Sequence, residues 1–232
     1  MKKDIFLVDA DDTLLDFHGA SERAMKYAFS AMGIVWDETY MQKFRVFNAG
    51  LWEALERKEL TRDELMANRF PLFLKSLGLN VDGKKFNEIY LEHLSTHPIY
   101  IDGAETFLQK LRGLGRVYIV TNGTEWIQRS RFTIANLWQY AEETFISQTV
   151  GADKPAKVYT DYVVSHIPDF ALERAVWIGD SLSADVKAAN DAGIESIWFN
   201  PKKLPLSNKA TPDYTVKSFT QALEIIRSFR AE

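Results

Sequence analysis

Four short signals carry the residues that could do chemistry. Asp9-Ala10-Asp11-Asp12-Thr13 follows directly on the apolar run Ile5–Val8. Thr121-Asn122-Gly123 closes the run that begins at Val117, and Lys154-Pro155 comes after the run Glu143–Ser147. Gly179-Asp180-Ser181, with Asp185 shortly behind it, closes the run that begins at Ala175. If folding gathers them, Asp9, Asp11, Asp180 and Asp185 cannot cluster unpaired without repulsion and a large desolvation cost. One lysine, Lys154, does not neutralise four carboxylates. A hard divalent cation does, and magnesium favours one or two carboxylates, waters and a phosphate oxygen. The site would then be built for a phosphate. Thr13 and Thr121 offer hydroxyls, Lys154 a cation, and the turn at Asn122 and Gly123 backbone amides. Phosphoryl transfer needs mainly positioning and charge neutralisation, and a carboxylate can act as its nucleophile through an aspartyl phosphate.

What must position these residues is legible as periodicity. Short β-branched or aromatic runs predict buried strands at Ile5–Asp9, Val117–Thr121, Glu143–Ser147, Ala175–Asp180, Ser196–Asn200 and, weakly, Asp213–Val216. Helical patterns at Gly103–Leu114, Ala156–His166 and Ala184–Ala192 separate most of them. Strands alternating with helices predict a three-layer, Rossmann-like α/β fold whose parallel sheet is covered on both faces. In such a sheet ligands sit at the carboxyl ends of the strands, where all four signals fall. Lys154 is expected to start the helix after the third strand, and Asp185 to open the helix after the fourth.

The rhythm breaks once. Residues 16–97 hold no convincing strand and read as helices at Ser21–Met32, Asp37–Lys58, Thr61–Leu77 and Lys84–Ser95, with Thr61 and Glu64 forming a capping box. An all-helical insertion of this size predicts a second domain at 16–97, the core being 1–15 and 98–232, with re-entry at the Pro98–Gly103 turn.

The four signals together resemble the haloacid dehalogenase superfamily over essentially the whole chain. Asp9-x-Asp11-x-Thr13 matches its first motif, Thr121 its second, Lys154 its third and Gly179-Asp180-Ser181 through Asp185 its fourth. The resemblance implies Asp9 as nucleophile and Asp11 as the acid that protonates the leaving alcohol and the base that activates water. It implies Thr121 and Lys154 as phosphoryl ligands. Magnesium would be held by Asp9, the Asp11 backbone carbonyl and Asp180, with Asp185 nearby or bound through water. Asp12 departs from the family, in which Gly is common. The acid role requires Asp11 to retain a proton against an ordinary value near ~3.9, with burial as the expected help. A second carboxylate at Asp11 favours phosphatases over the dehalogenase branch, which lacks it.

The insertion resembles the superfamily's helical cap, which closes over the site and selects the substrate. Within it, Asn48-Ala49-Gly50-Leu51-Trp52-Glu53 and Arg69-Phe70 resemble the bacterial nucleotidases that act on pyrimidine 5′-monophosphates. Trp52 or Phe47 could stack a base and Arg69 or Asn48 bond its edge. The expected activity is a magnesium-dependent 5′-nucleotidase. The alternatives are a phosphatase of another small metabolite such as phosphoglycolate or a sugar phosphate, a phosphosugar mutase, or a binding protein that keeps the fold without turnover.

Plainer readings compete residue by residue. Asp11 and Asp12 suit helix N-caps, Asp185 a helix-start charge, Thr121-Asn122-Gly123 a simple turn and Lys154 a solvated surface. Trp52, Phe47 and Phe44 suit a helical core, and Arg69 a salt bridge. The agreement of four signals in order outweighs these for the core motifs. A calcium loop at Asp9 fails because Leu14 stands where Gly is required. Gly78–Lys84 imitates a P-loop, but Lys85 replaces the metal-binding Ser/Thr and a helix leads in. His93 and His97 lack a third zinc ligand. There is no cysteine, so thiolate chemistry, disulfides and Cys-type zinc sites are excluded. With 46% apolar residues and a formal charge of −4, the composition fits a globular protein with no electrostatic footprint for nucleic acid or an anionic membrane. No run approaches the ~20 apolar residues of a membrane span, and the run after Lys3 is too short for a signal peptide. A cytoplasmic monomer or small homo-oligomer acting on a small phosphorylated metabolite is expected.

Overall fold

The computed structural model describes residues 3–57, 59–206 and 210–229 of the chain. It divides into two compact units, Met1–Phe17 with Pro98–Glu232, and His18–His97. Lys58, the predicted end of the second helical stretch, lies outside the described residues, as do positions 1, 2, 207–209 and 230–232 of the predicted core range.

The first unit is built on six strands, β1 (Ile5–Val8), β2 (Arg116–Thr121), β3 (Glu143–Ile146), β4 (Ala175–Gly179), β5 (Glu195–Phe199) and β6 (Tyr214–Val216). They pair in the order β3-β2-β1-β4-β5-β6, and every pairing is parallel. The order reverses beside β1, which pairs with β2 on one side and β4 on the other. This is the switch point at which open parallel sheets bind ligands.

Along the chain the helices begin with those of the second unit, α1 (Phe17–Ala31), α2 (Thr39–Glu56), α3 (Arg62–Ser76) and α4 (Gly83–Thr96). Those of the sheet unit follow as α5 (Ala104–Arg112), α6 (Glu125–Ile134), the short α7 (Ser147–Val150), α8 (Lys157–His166), α9 (Lys187–Ala192) and α10 (Phe219–Ser228). Alternate strand residues point to opposite faces, and both faces are covered. Phe6, Val8, Val117, Ile119, Val176 and Ile178 pack with Phe107 and Leu111 of α5, Phe132 of α6 and Leu223 and Ile226 of α10. Ile5, Leu7, Tyr118, Val120 and Trp177 pack with Tyr159 and Val163 of α8 and with Ala188 and Ala189 of α9. Burial on two faces explains why these strands read as unbroken apolar runs.

The second unit has its own core, in which Phe29, Phe44, Phe70, Phe73, Phe86 and Tyr90 make ring contacts at centroid separations between 4.7 and 5.1 Å. Thr61 and Glu64 form the predicted capping box at the start of α3, and the Asp82 carboxylate caps α4. The P-loop look-alike, Gly78–Lys84, is the link between these helices together with the first two residues of α4.

Two predicted helix starts differ from the structure. Lys154 lies ahead of α8, in a loop after α7, and its bond to Pro155 is cis. Ala184 and Asp185 fall in a π-helical turn, Leu182–Val186, that precedes α9. A helix-start charge would face solvent beside the first amides. The wider π turn instead carries Asp185 inward, where it is buried.

Candidate active site

Asp9 is the first residue past β1, at the sheet's switch point, and Asp180 the first past β4. Asp9 N–H donates to the Ile178 carbonyl at 2.9 Å, so the sheet ladder itself fixes its backbone. The Asp9 side chain is buried with Oδ1 2.6 Å from Lys154 Nζ and Oδ2 accepting from the Thr13 hydroxyl at 3.0 Å. Lys154 reaches the same point from the loop beyond β3, and its ammonium is fully engaged. Besides Asp9 it donates to Asp185 Oδ1 at 2.6 Å and to the Val120 carbonyl at 2.8 Å. Asp185 Oδ2 accepts from the Ser181 amide at 3.1 Å. Gly179 is required here, because an added Cβ would lie 2.3 Å from Asp185 Cγ.

Asp9, Asp180 and Asp185 offer carboxylate oxygens that all lie within 4.8 Å of one another. Burial, only partly offset by Lys154 and reinforced by Asp185 and Asp11, pushes Asp9 up to about 8. Burial and the neighbouring Asp9 and Asp185 raise Asp180 in the same direction. Burial disfavours a charged Lys154, but Asp185 and Asp9 more than compensate and its proton is held more tightly than usual. Three carboxylates thus face one ammonium, and two of them resist ionising without further positive charge. The Asp180 carboxylate makes no hydrogen bond among the described residues. An all-oxygen donor set with one uncommitted carboxylate fits a hard divalent cation.

Several of the predicted site residues have partners within the protein itself. The Thr13 hydroxyl, offered to a phosphate, is committed to Asp9 and orients it. The Asn122 side chain, also assigned to substrate, bonds the Lys154 backbone at both ends, accepting from its N–H at 2.8 Å and donating to its carbonyl at 3.0 Å. The Gly123 amide donates to Ser147 Oγ at 3.0 Å. These groups build the loop that carries Lys154, because a buried polar atom takes the nearest partner that satisfies it. The Asp11 side chain pairs with Arg131 at 2.6 Å and is 21% exposed, so the full burial expected around it is not found. Asp12 sits in the left-handed region at φ 60°, the conformation that makes Gly common at such a position.

The sequence reading missed α6. Its Gln128 donates to Asp11 Oδ2 and to Thr121 Oγ1, both at 2.9 Å. Gly123 lacks the Cβ that would lie 2.8 Å from Gln128 Cγ. The one sequence signal was a Gln and an Arg at helical spacing, on the face that also bears Ile127 and Phe132.

In the second unit, Arg69 is 7% exposed and lies over the rings of Phe70 and Tyr90 at 4.8 and 5.5 Å. Its Nε and Nη2 have no hydrogen-bond partner, and it forms no ion pair among the described residues. The predicted alternative of a salt bridge is therefore not what holds it. The buried Asn48 Oδ1 also lacks a partner, and Trp52 is half-buried. Phe44 and Phe47 pack on Phe73, as helical core. His93 and His97 stack at 4.0 Å at the end of α4.

A parallel sheet ordered β3-β2-β1-β4-β5-β6, with carboxylates gathered just beyond β1 and β4, defines a doubly wound α/β protein whose site lies at the switch point. The chain belongs to the haloacid dehalogenase-like hydrolases, whose family pattern it matches over residues 3–193. It is 34% identical to the HAD-hydrolase YfnB of Bacillus subtilis, covering 95% of this chain and 94% of that one. It is 32% identical to the pyrimidine 5′-nucleotidase PynA of Streptococcus pneumoniae, covering 95% and 93%. It is 26% identical to the pyrimidine 5′-nucleotidase YjjG of Escherichia coli, covering 97% and 99%. The crystal structure of YfnB, bound to magnesium, superposes with a TM-score of 0.92 over 97% of this chain and 99% of that one. No helix among the described residues is long and apolar enough to cross a membrane.

Proposed function

We propose that this hydrolase is a magnesium-dependent phosphomonoesterase working through an aspartyl phosphate, with pyrimidine nucleoside 5′-monophosphates as its substrates. The observation that carries the chemistry is Asp9, buried at the switch point and held on both oxygens, with Asp180 and Asp185 oxygens within 4.8 Å. Two relatives named as pyrimidine 5′-nucleotidases, matched over more than nine-tenths of their length, support the substrate.

The Asp9 and Asp180 carboxylates and the Asp11 carbonyl would hold magnesium, with Asp185 nearby or bound through water. When bound, the cation supplies the positive charge that the carboxylates and a phosphate dianion together demand. Asp9 attacks phosphorus, the ester P–O bond breaks, and Asp11 gives its proton to the departing alkoxide. Water then attacks phosphorus, Asp11 takes the proton back, and the bond to Asp9 breaks to release phosphate. Thr13 keeps one Asp9 oxygen turned away while the other reacts. Lys154 holds Asp9 before transfer; once that oxygen is esterified, the same N–H is free for a phosphoryl oxygen. Thr121 accepts from Gln128, which leaves its own hydrogen to donate to the phosphoryl group. Asp185, spent on Lys154 and the Ser181 amide, orients both. Arg69, Asn48 and Trp52 of the helical unit are the residues we assign to contact with the base.

The test is phosphate release from a panel of nucleoside monophosphates and sugar phosphates, with magnesium, with EDTA, and with Asp9→Asn. Turnover of pyrimidine nucleotides that needs magnesium and falls to background in Asp9→Asn is expected. Undiminished turnover in Asp9→Asn would end the mechanism, and a preference for purine nucleotides or sugar phosphates would end the substrate assignment.

A further inference from the structure

Gln128 and Arg131 lie one turn apart on α6 and are 1% and 0% exposed. Polar side chains so deeply buried are costly unless bonded, and these two converge on one carboxylate. Arg131 Nη1 donates to Asp11 Oδ1 at 2.6 Å and to Gln128 Oε1 at 2.7 Å. Gln128 Nε2 donates to Asp11 Oδ2 and, with its second hydrogen, to Thr121 Oγ1. The amide can sit only one way round, because its reverse would set Oε1 against the Asp11 carboxylate and its NH₂ against the guanidinium. Each Asp11 oxygen therefore has its own donor.

Fold stability does not account for the arrangement. Arg131 keeps two buried nitrogens, Nε and Nη2, without a hydrogen-bond partner. A buried ion pair of this kind is often matched or bettered by apolar side chains of similar volume. The chemistry of the cluster does account for it. Asp11 follows Asp9 by two residues, and a carboxylate free to turn would add a further ligand to a cation held by Asp9 and Asp180. A carboxylate bound there is lost to proton transfer. The three-acid cluster leaves the Asp11 side chain out.

We propose that Gln128 and Arg131 are positioning residues that keep the Asp11 carboxyl group off the cation and in the one rotamer from which it exchanges a proton with the substrate. The proposal rests on the acid role given to Asp11 above.

The consequence is selective by leaving group. An alkyl ester such as a nucleoside 5′-monophosphate needs a proton on its departing oxygen. The 4-nitrophenolate of 4-nitrophenyl phosphate departs without one. The experiment measures kcat/KM, which reports the first phosphoryl transfer, on both esters with magnesium. Arg131→Met and Gln128→Met are expected to lose about 100-fold on the nucleotide and less than ~5-fold on the aryl ester. Arg131→Lys, which keeps a cation, recovers at least ~10-fold of the Arg131→Met loss. General damage to the site would depress both esters alike, and thermal unfolding of each variant confirms that it folds; any one folded variant decides. Asp11→Asn is the control for the underlying reading. If Asp11→Asn loses equally on both esters, the acid role itself fails. If Asp11→Asn is selective while the folded α6 variants are not, or if Lys at 131 is no better than Met, the positioning proposal alone is overturned.

Discussion

Lys154 draws Asp9 toward its ionised form from 2.6 Å, yet burial prevails and Asp9 rises from an ordinary 3.8 to about 8. The sign of the stability effect follows. The folded protein keeps a proton on Asp9 over a range in which the unfolded chain has lost it, so folding takes up protons there. The contribution is complete below about pH 4 and is lost as pH rises through about 8. In EDTA, denaturant unfolding should show the wild type losing stability relative to Asp9→Asn between those limits, by at most ~1.4 kcal/mol per pH unit for one proton. Asp180, raised as well, adds in the same direction. A difference that stays flat from about pH 5 to 8 would contradict the assigned burial of charge. Arg69 offers the opposite comparison. It is a buried cation with no carboxylate partner among the described residues, and its ring contacts offset its desolvation. Arg69→Met should unfold no more easily than wild type, to within ~0.5 kcal/mol, while KM for a pyrimidine nucleotide rises. A folding defect with unchanged KM would make Arg69 a structural residue.

Asp185 depends on the element that carries it. Between β4 and α9 the chain makes a π turn, which swings the carboxylate back over Gly179. Gly179→Ala should force Asp185 away from Lys154 and the Ser181 amide, at a cost of about 1–3 kcal/mol, with turnover falling by more than stability alone explains. Unfolding curves and kcat measured together check this, and a fully active, fully stable Gly179→Ala would refute it. The same turn marks where sequence reading stopped short. A 3.6-residue period over Ala184–Ala192 suggests an α-helix with Asp185 at its mouth, and nothing in residue type distinguishes a π turn from an α turn. The strands β1, β2, β4 and β5 were legible because both of their faces are buried, which leaves apolar runs. Asp9, Thr121 and Asp180 were placed correctly for that reason, since each follows or ends such a run. The helix α6 was hidden by its own function: Gln128 and Arg131 occupy core positions and break the apolar stripe that would have announced it. By contrast α10 shows Phe219, Ala222, Leu223 and Ile226 at plain helical spacing. Which atoms Thr13, Asn122 and Gly123 engage was beyond sequence reading, because partner choice among short polar side chains is settled by loop geometry.

Each of the two compact units has its own buried core, and the whole acidic cluster belongs to the sheet unit. A ligand that binds only the folded state stabilises by RT ln(1 + [L]/Kd), about 2.7 kcal/mol at a hundredfold excess over Kd. Magnesium should therefore raise the melting temperature of the sheet unit. If the units melt separately, calorimetry should show one transition moving with magnesium and the other staying in place; if they melt together, the single transition should move as a whole. The shift should be larger at pH 8 than at pH 6, since protons on Asp9 and Asp180 compete with the cation. Asp180→Asn removes the one carboxylate of the three-acid cluster that makes no hydrogen bond among the described residues, and with it most of the shift, while leaving the Lys154 pairs with Asp9 and Asp185 intact. This measurement needs no substrate, so it separates the metal site from the choice of nucleotide. An Asp180→Asn protein whose melting still follows magnesium as the wild type does would move the cation elsewhere and leave the raised Asp9 and Asp180 without the counter-charge argued for them.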